Sequence, residues 1–339
     1  MLAVPLAASA CPAIIFDTDY RSDCDDVGAL AMVHALQDTG KVTLLGAIAT
    51  TTGPHVVGAI DAVNTHYGRP DLPIGVVAPE EGLNTTLNSD DFASTLANPQ
   101  NFVSHQTNAT APASTALYRR LLHAAPDRSI TIVVVGGQTA IHRLLISSAD
   151  HDGDAIPRTG QQLVAAKVRE LVIMGGHFTD PGFAEFNICL DLKAAQHIAR
   201  EWPGRVIYTG FEIGEEIRTG AALTHPETNP VARAYERYCG TTGGAGVIGD
   251  RQSWDQTAVL IAAVGDKWNG RTLWKISPPQ AIEFDEIGRA LITPSTTGSR
   301  HFIIQSDPLM KHTEIAAIIS ELMTAAPKTP GPRPLQQSR

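Results

Sequence analysis

Ile14-Ile15-Phe16-Asp17-Thr18-Asp19-Tyr20-Arg21-Ser22-Asp23-Cys24-Asp25-Asp26 joins an apolar run to five carboxylates within ten residues. The continuation, Val27-Gly28-Ala29-Leu30-Ala31-Met32-Val33-His34-Ala35-Leu36, is apolar and rich in helix formers. The order predicts a buried strand, an acidic loop and a helix. Carboxylates held this close repel and raise one another's pKa unless a cation sits among them. An all-oxygen donor set suits a hard ion, Ca2+ or Mg2+. A solvated, capped helix start needs one or two such groups rather than five.

Outward from this stretch, short β-branched runs alternate with helical patterns, the βαβ signature of an α/β fold with an open, mostly parallel, Rossmann-like sheet flanked by helices. Strands are predicted at Ile14 to Phe16, Val42 to Ala49, Ile74 to Val77, Ile130 to Val135, Glu170 to Met174 and Arg205 to Tyr208. Helices are predicted at Val27 to Gln37, His55 to His66, Ala113 to Ala124, Thr139 to Ile146 and Lys193 to Glu201. From Ala78 to Thr110 the composition turns to Asn, Thr, Ser, Asp and Gln, which reads as a long surface excursion, a candidate lid. Later come a helix at about Asp255 to Val264, a Gly/Pro-punctuated region with Trp268 and Trp274, a strand at Phe302 to Gln305 and a helix at about Leu309 to Thr324. No linker divides residues 11–326, so one domain is expected, with a disordered polar tail over 327–339.

The chain has 339 residues, 43% of them hydrophobic, enough for a large core, and a formal charge of -9. No basic stripe accompanies that charge, which argues against nucleic acid and for a small neutral or weakly charged partner. No run of about twenty apolar residues occurs, so no membrane span is expected. Residues 1–10, ending in Ala8-Ser9-Ala10, read as a signal-peptide remnant without its charged start, and Cys11 after small residues recasts that stretch as a lipoprotein-like site lacking the usual Leu. Export, periplasmic or secreted, is favoured over a cytoplasmic location. The sequons at Asn84 and Asn108 are compatible with secretion. Cys11, Cys24, Cys189 and Cys239 match neither a zinc pattern nor a disulfide framework and read as ordinary thiols. A homo-oligomer is compatible with the sequence.

Three further segments fall at strand ends or helix starts, where open α/β sheets bind ligands. Val133-Val134-Val135-Gly136-Gly137-Gln138-Thr139 ends a strand in two glycines, where backbone can approach a ligand. Met174-Gly175-Gly176-His177 precedes Glu185-Phe186-Asn187, whose carboxylate and amide, one residue apart, would share a face of an extended segment and fork onto sugar hydroxyls. Ser253-Trp254-Asp255 sets an aromatic ring and a carboxylate at a helix start, where a plain cap is the bland alternative.

Together these segments resemble the inosine-uridine-preferring nucleoside hydrolase family over roughly Ile14 to Ala263, the acidic loop and Glu185-Phe186-Asn187 being the specific parts. The resemblance implies the family's fold and a Ca2+-dependent N-glycosidase that hydrolyses ribonucleosides, or a related glycoside, to free base and ribose. It implies that Asp19, Asp26, Asp255 and the carbonyl of Val135 hold Ca2+, and that Asp19 is the base that activates water. Asp25 would contact ribose hydroxyls, and Glu185 and Asn187 would grip the sugar from its other side.

Departures are visible too. The acidic loop is two residues longer than the family pattern, so Asp23 offers a second register. Trp254 stands where the family has a His that protonates the leaving base, which leaves His177 as a candidate for that side. No asparagine follows the second strand, and a Gly-Asn pair before Glu185 is deleted. Two alternatives are a non-catalytic Ca2+-dependent nucleoside- or sugar-binding protein and a HAD-type phosphohydrolase. The latter needs Thr or Val two residues after its second Asp, where this chain has Arg21.

Overall fold

Ile14, Ile15 and Phe16 form the centre of strand β1 (Ala13–Thr18), and its side chains go alternately to two cores: Ile14 and Phe16 to one face of the sheet, Ile15 to the other. A strand covered on both faces reads as an unbroken apolar run, which is why the pattern was legible. The computed structural model describes residues 11–20, 23–78, 92–243, 246–304, 310–329 and 331.

After β1 come α1 (Asp25–Asp38), β2 (Thr43–Ala49), α2 (Val56–His66), β3 (Ile74–Val76), α3 (Phe92–Leu96), α4 (Ser114–Ala124), β4 (Ile130–Val134), α5 (Thr139–Ile146) and α6 (Gly160–Lys167). Next are β5 (Val168–Met174), α7 (Phe186–Leu190), α8 (Leu192–Glu201), β6 (Arg205–Thr209), α9 (Phe211–Glu215), β7 (Arg218–Thr219), α10 (Pro230–Gly243), β8 (Arg251–Gln252) and α11 (Trp254–Val264). The hairpin β9 (Lys267–Trp268) and β10 (Arg271–Thr272) leads to β11 (Lys275–Ile276), β12 (Gln280–Phe284), β13 (Ala290–Pro294), β14 (Arg300–Ile304) and α12 (His312–Met323).

The main sheet runs β13-β12-β14-β6-β5-β4-β1-β2-β3, with β11 also on β14. Pairings from β3 through β6 to β14 are parallel, and β11, β12 and β13 add antiparallel strands at one end. The sheet is mostly parallel and flanked by helices, as expected. Successive strands move outward through β2 and β3, then return to the other side of β1 at β4. The crevice beyond the ends of β1 and β4 is thus the topological switch point, where α/β sheets bind ligands. Helix α1 is buried from Asp25 through Leu36 and packs on α11 and α12, an all-round apolar helix in the interior.

The predicted strands and helices between Ile14 and Glu201 are present with ends shifted by one or two residues. The surface excursion needs correction. Phe92, Ala93 and Leu96 of α3 and Phe102 are buried, with α3 packed on α2 and α10, so the polar composition hides an apolar anchor; residues 79–91 of that excursion lie outside the described residues. In the expected tail, Lys328 N–H lies 3.1 Å from Asp38 Oδ2 and Gly331 N–H bonds the His66 carbonyl at 3.1 Å. Residues 332–339 and the leader 1–10 are outside the described set. No described helix is long and apolar enough to cross a membrane.

Candidate active site

The acidic loop turns sharply after β1. Tyr20 takes φ +47°, a left-handed conformation rare for a bulky residue, and its N–H bonds Thr18 Oγ1 at 3.0 Å and Asp26 Oδ1 at 3.2 Å. Thr18 Oγ1 also donates a short bond to Asp26 Oδ1. Opposite, Gly136 follows β4, and a Cβ there would lie 2.7 Å from the Asp19 nitrogen. Only glycine lets the two strand ends come this close. Thr51 Oγ1 holds the Asp19 carbonyl at 2.8 Å from the third side.

Helix α1 is capped by Cys24 without a side-chain bond, and α11 is preceded by Ser253, likewise without one. Asp25, Asp26 and Asp255 therefore do not serve as caps, and the bland reading of these carboxylates falls. Instead, oxygens of Asp25, Asp26 and Asp255 lie within 4.8 Å of one another, and all three residues are buried. Burial pushes each carboxyl well above its ordinary range, and the charges of neighbouring carboxylates add to it: Asp23 on Asp25, Asp19 and Asp25 on Asp26, Asp25 and Asp26 on Asp255. Like charges with this hard oxygen set fit a divalent cation, and the cluster could bind a metal.

A cleft of about 250 Å³ opens over them, lined by Asp19, Asp23, Asp25, Asp26, Val135, Met174, Glu185, Phe186, Asn187, Phe211, Arg251, Trp254 and Asp255. The structure thus brings together every residue assigned to the site from sequence except His177. That side chain sits behind Phe211, ring centroids 5.9 Å apart, and its Nδ1 accepts the Asp180 N–H at 3.0 Å.

Glu185 and Asn187 meet the cleft in a different conformation from the one expected. The segment is not extended. Glu185 caps α7, its Oε1 accepting the Asn187 N–H at 2.9 Å and its Oε2 those of Gly176 and Ile188 at 3.1 Å each. Burial raises its pKa to about 7 against these bonds. Asn187 Nδ2 lies 3.3 Å from the Met174 carbonyl, which leaves its oxygen for the cleft.

Four lining residues were not singled out from sequence: Met174, Phe186, Phe211 and Arg251. Phe186, between the two sugar-side candidates, is 63% exposed although large and apolar, a signal only once its position at the cleft mouth is known. Phe211 packs against Trp254 with ring centroids 5.0 Å apart and planes tilted by 31°, and accepts the indole N–H at 2.9 Å through its carbonyl. Asp23, which the sequence offered as a second register, is held by Arg251, whose Nε lies 3.0 and 2.9 Å from its two carboxylate oxygens.

Sheet and cleft define an α/β fold with an acidic crevice at its topological switch point. The chain belongs to the inosine-uridine preferring nucleoside hydrolase family, whose model matches residues 14–263, and the members of this family hydrolyse N-glycosyl bonds. No curated protein matches the sequence. Among solved structures, a plant nucleoside hydrolase is similar at 17% identity, covering 93% of this chain and 99% of that one, with a TM-score of 0.64. A purine-preferring ribonucleoside hydrolase from Gardnerella vaginalis is similar at 16% identity over 92% and 99%, with a TM-score of 0.65. The type III effector XopQ, solved with adenosine diphosphate ribose, is similar at 15% identity over 94% of each chain, with a TM-score of 0.64. At these identities the likeness speaks for the fold. Family and fold support an N-glycosidase, and neither points to a phosphohydrolase.

Proposed function

We propose that the chain is a Ca2+-dependent hydrolase of ribonucleosides, or of a closely related N-riboside, releasing free base and ribose. The observation that carries this reading is the convergence, in one cleft, of the buried Asp25, Asp26 and Asp255 cluster with Asp19, Glu185 and Asn187. Asp26, Asp255, Asp19 and the carbonyl of Val135 would hold the ion, and Asp25 would contact the ribose hydroxyls. Calcium bound there would neutralise the carboxylates and make a nearby water more acidic.

The protein's own groups do the rest. Asp19 takes the proton of the attacking water. The carboxylates in the cleft stabilise the positive charge that builds on the ribosyl ring as the N-glycosidic bond opens. Asn187 holds the sugar by its amide, with Glu185 beside it, so that C1′ faces the water. Phe186, Phe211 and Trp254 offer an apolar wall on which a planar base can lie.

A panel of nucleosides assayed for free ribose, with and without Ca2+, tests the reading. Calcium-dependent release supports it. Calorimetric binding of nucleosides without release would instead make the chain a binding protein.

A further inference from the structure

The cleft carries a group that the sugar-side chemistry leaves unused. Arg251, on β8, lines it beside six carboxylates. Its guanidinium carbon lies over two rings, 4.9 Å from the Trp254 centroid and 5.1 Å from that of Tyr238. Asp23 fixes it through Nε and through Nη2 at 2.5 Å, and Gln252 takes Nη1 at 2.7 Å. A guanidinium has five N–H groups. One on Nη1 and one on Nη2 have no partner among the described residues.

We propose that Arg251 is the leaving-group residue of this site, resting on the N-glycosidase reading above, and that it selects aglycones that depart as anions with an acceptor atom beside the departing nitrogen. Uracil, with its 2-carbonyl, is of this type. The need is electrostatic. When the C1′–N bond breaks, its electron pair stays on the base nitrogen, and a cleft lined with carboxylates opposes a second negative charge there. Arg251 is the cation in the lining. It is permanently protonated, so it stabilises the departing charge by hydrogen bonds rather than by proton transfer. The water oxygen bonds to C1′, its proton goes to Asp19, and the freed base anion takes a proton from solvent. Trp254, whose indole N–H is already given to Phe211, holds the guanidinium in place by a cation–π contact. Asp23 is the positioning residue, because its bidentate grip orients the fork.

Two ribosides separate this role from a structural one. Uridine releases an anion, whereas nicotinamide riboside carries its positive charge in the ground state and releases a neutral pyridine. In Arg251→Gln, kcat/KM for uridine should fall by about 10²-fold or more, the loss typical of a removed charge-stabilising donor. For nicotinamide riboside it should fall far less or rise. Arg251→Lys, which keeps charge without the fork, should lie between, and millimolar guanidinium should restore part of the uridine activity of Arg251→Ala. Asp23→Asn should show the same selectivity at smaller amplitude. Equal losses on both ribosides, or no loss on either, overturn the assignment while leaving the N-glycosidase reading intact. Failure of the unmodified protein to cleave either riboside overturns both.

Discussion

The hydroxyl of Tyr118 on α4 lies 2.5 Å from Asp17 Oδ2 on β1, a bond made entirely in the interior across 101 residues of chain. The other oxygen of Asp17 has no hydrogen-bond partner among the described residues. Burial raises this carboxyl well above its ordinary range, with Tyr118 opposing the shift. Tyr118→Phe strips the one bond that satisfies a buried acceptor, so it should cost about 1–3 kcal/mol of unfolding free energy. Urea denaturation measures it, and a loss under about 0.5 kcal/mol would show that Asp17 finds another partner.

A bound divalent ion should appear at one per chain in elemental analysis, and chelation should lower the melting temperature. Calcium at a hundred times its Kd would stabilise the native state by about 2.7 kcal/mol. Asp255→Asn gives a crossed pattern. With calcium it should be the less stable protein, having lost a ligand; in chelator it should match or exceed the unmodified chain, because one of three crowded carboxylates is gone. Parallel melting curves in both conditions would contradict the ion site.

Asp19→Asn keeps volume and removes the base, so kcat should fall by about 10²–10⁴-fold with the fold intact. Asn187→Ala should lower kcat/KM by loosening the sugar. Ribose release and circular dichroism on the same samples decide it; near-normal turnover in Asp19→Asn would pass the base role to another carboxylate.

Burial pushes the pKa of His34 on α1 down to about 3 from its ordinary 6.5, against the Asn64 hydrogen bond at 2.8 Å. The unfolded chain therefore binds this proton below pH 6.5 while the folded chain does not until about pH 3. His34's share of stability is complete above pH 6.5 and falls as the pH drops through that window, by about 1.4 kcal/mol per unit. Between pH 6.5 and 5, His34→Gln should lose about 2 kcal/mol less than the unmodified protein. Equal slopes would mean His34 is protonated in the native state.

The acidic loop was legible because crowded carboxylates carry their meaning in any fold, and β1 because burial on both faces leaves a continuous apolar run. Arg251 was not legible: it belongs to a two-residue strand, and its partner Asp23 lies 228 residues away. Glu185-Phe186-Asn187 was recognised as a site, but its extended conformation was not borne out, since the Glu185 carboxylate does better accepting three backbone N–H groups at the start of α7. Phe92 and Leu96 were hidden by their polar neighbours, because a single turn of helix is too short to show a period.

The N–H of Asp255 lies 3.4 Å from Asp25 Oδ2, so one carboxylate of the cluster arrives 230 residues after its neighbour. While the chain is being made, Asp25 and Asp26 leave the ribosome long before α11 exists, and the crowding that an ion relieves has not yet formed. A chain halted short of Trp254 can pair β1 with β2 and β4 but cannot assemble the three-carboxylate cluster. An ion held by this cluster would thus be a property of the finished topology, and its stabilisation would not reach any intermediate in which α11 is undocked.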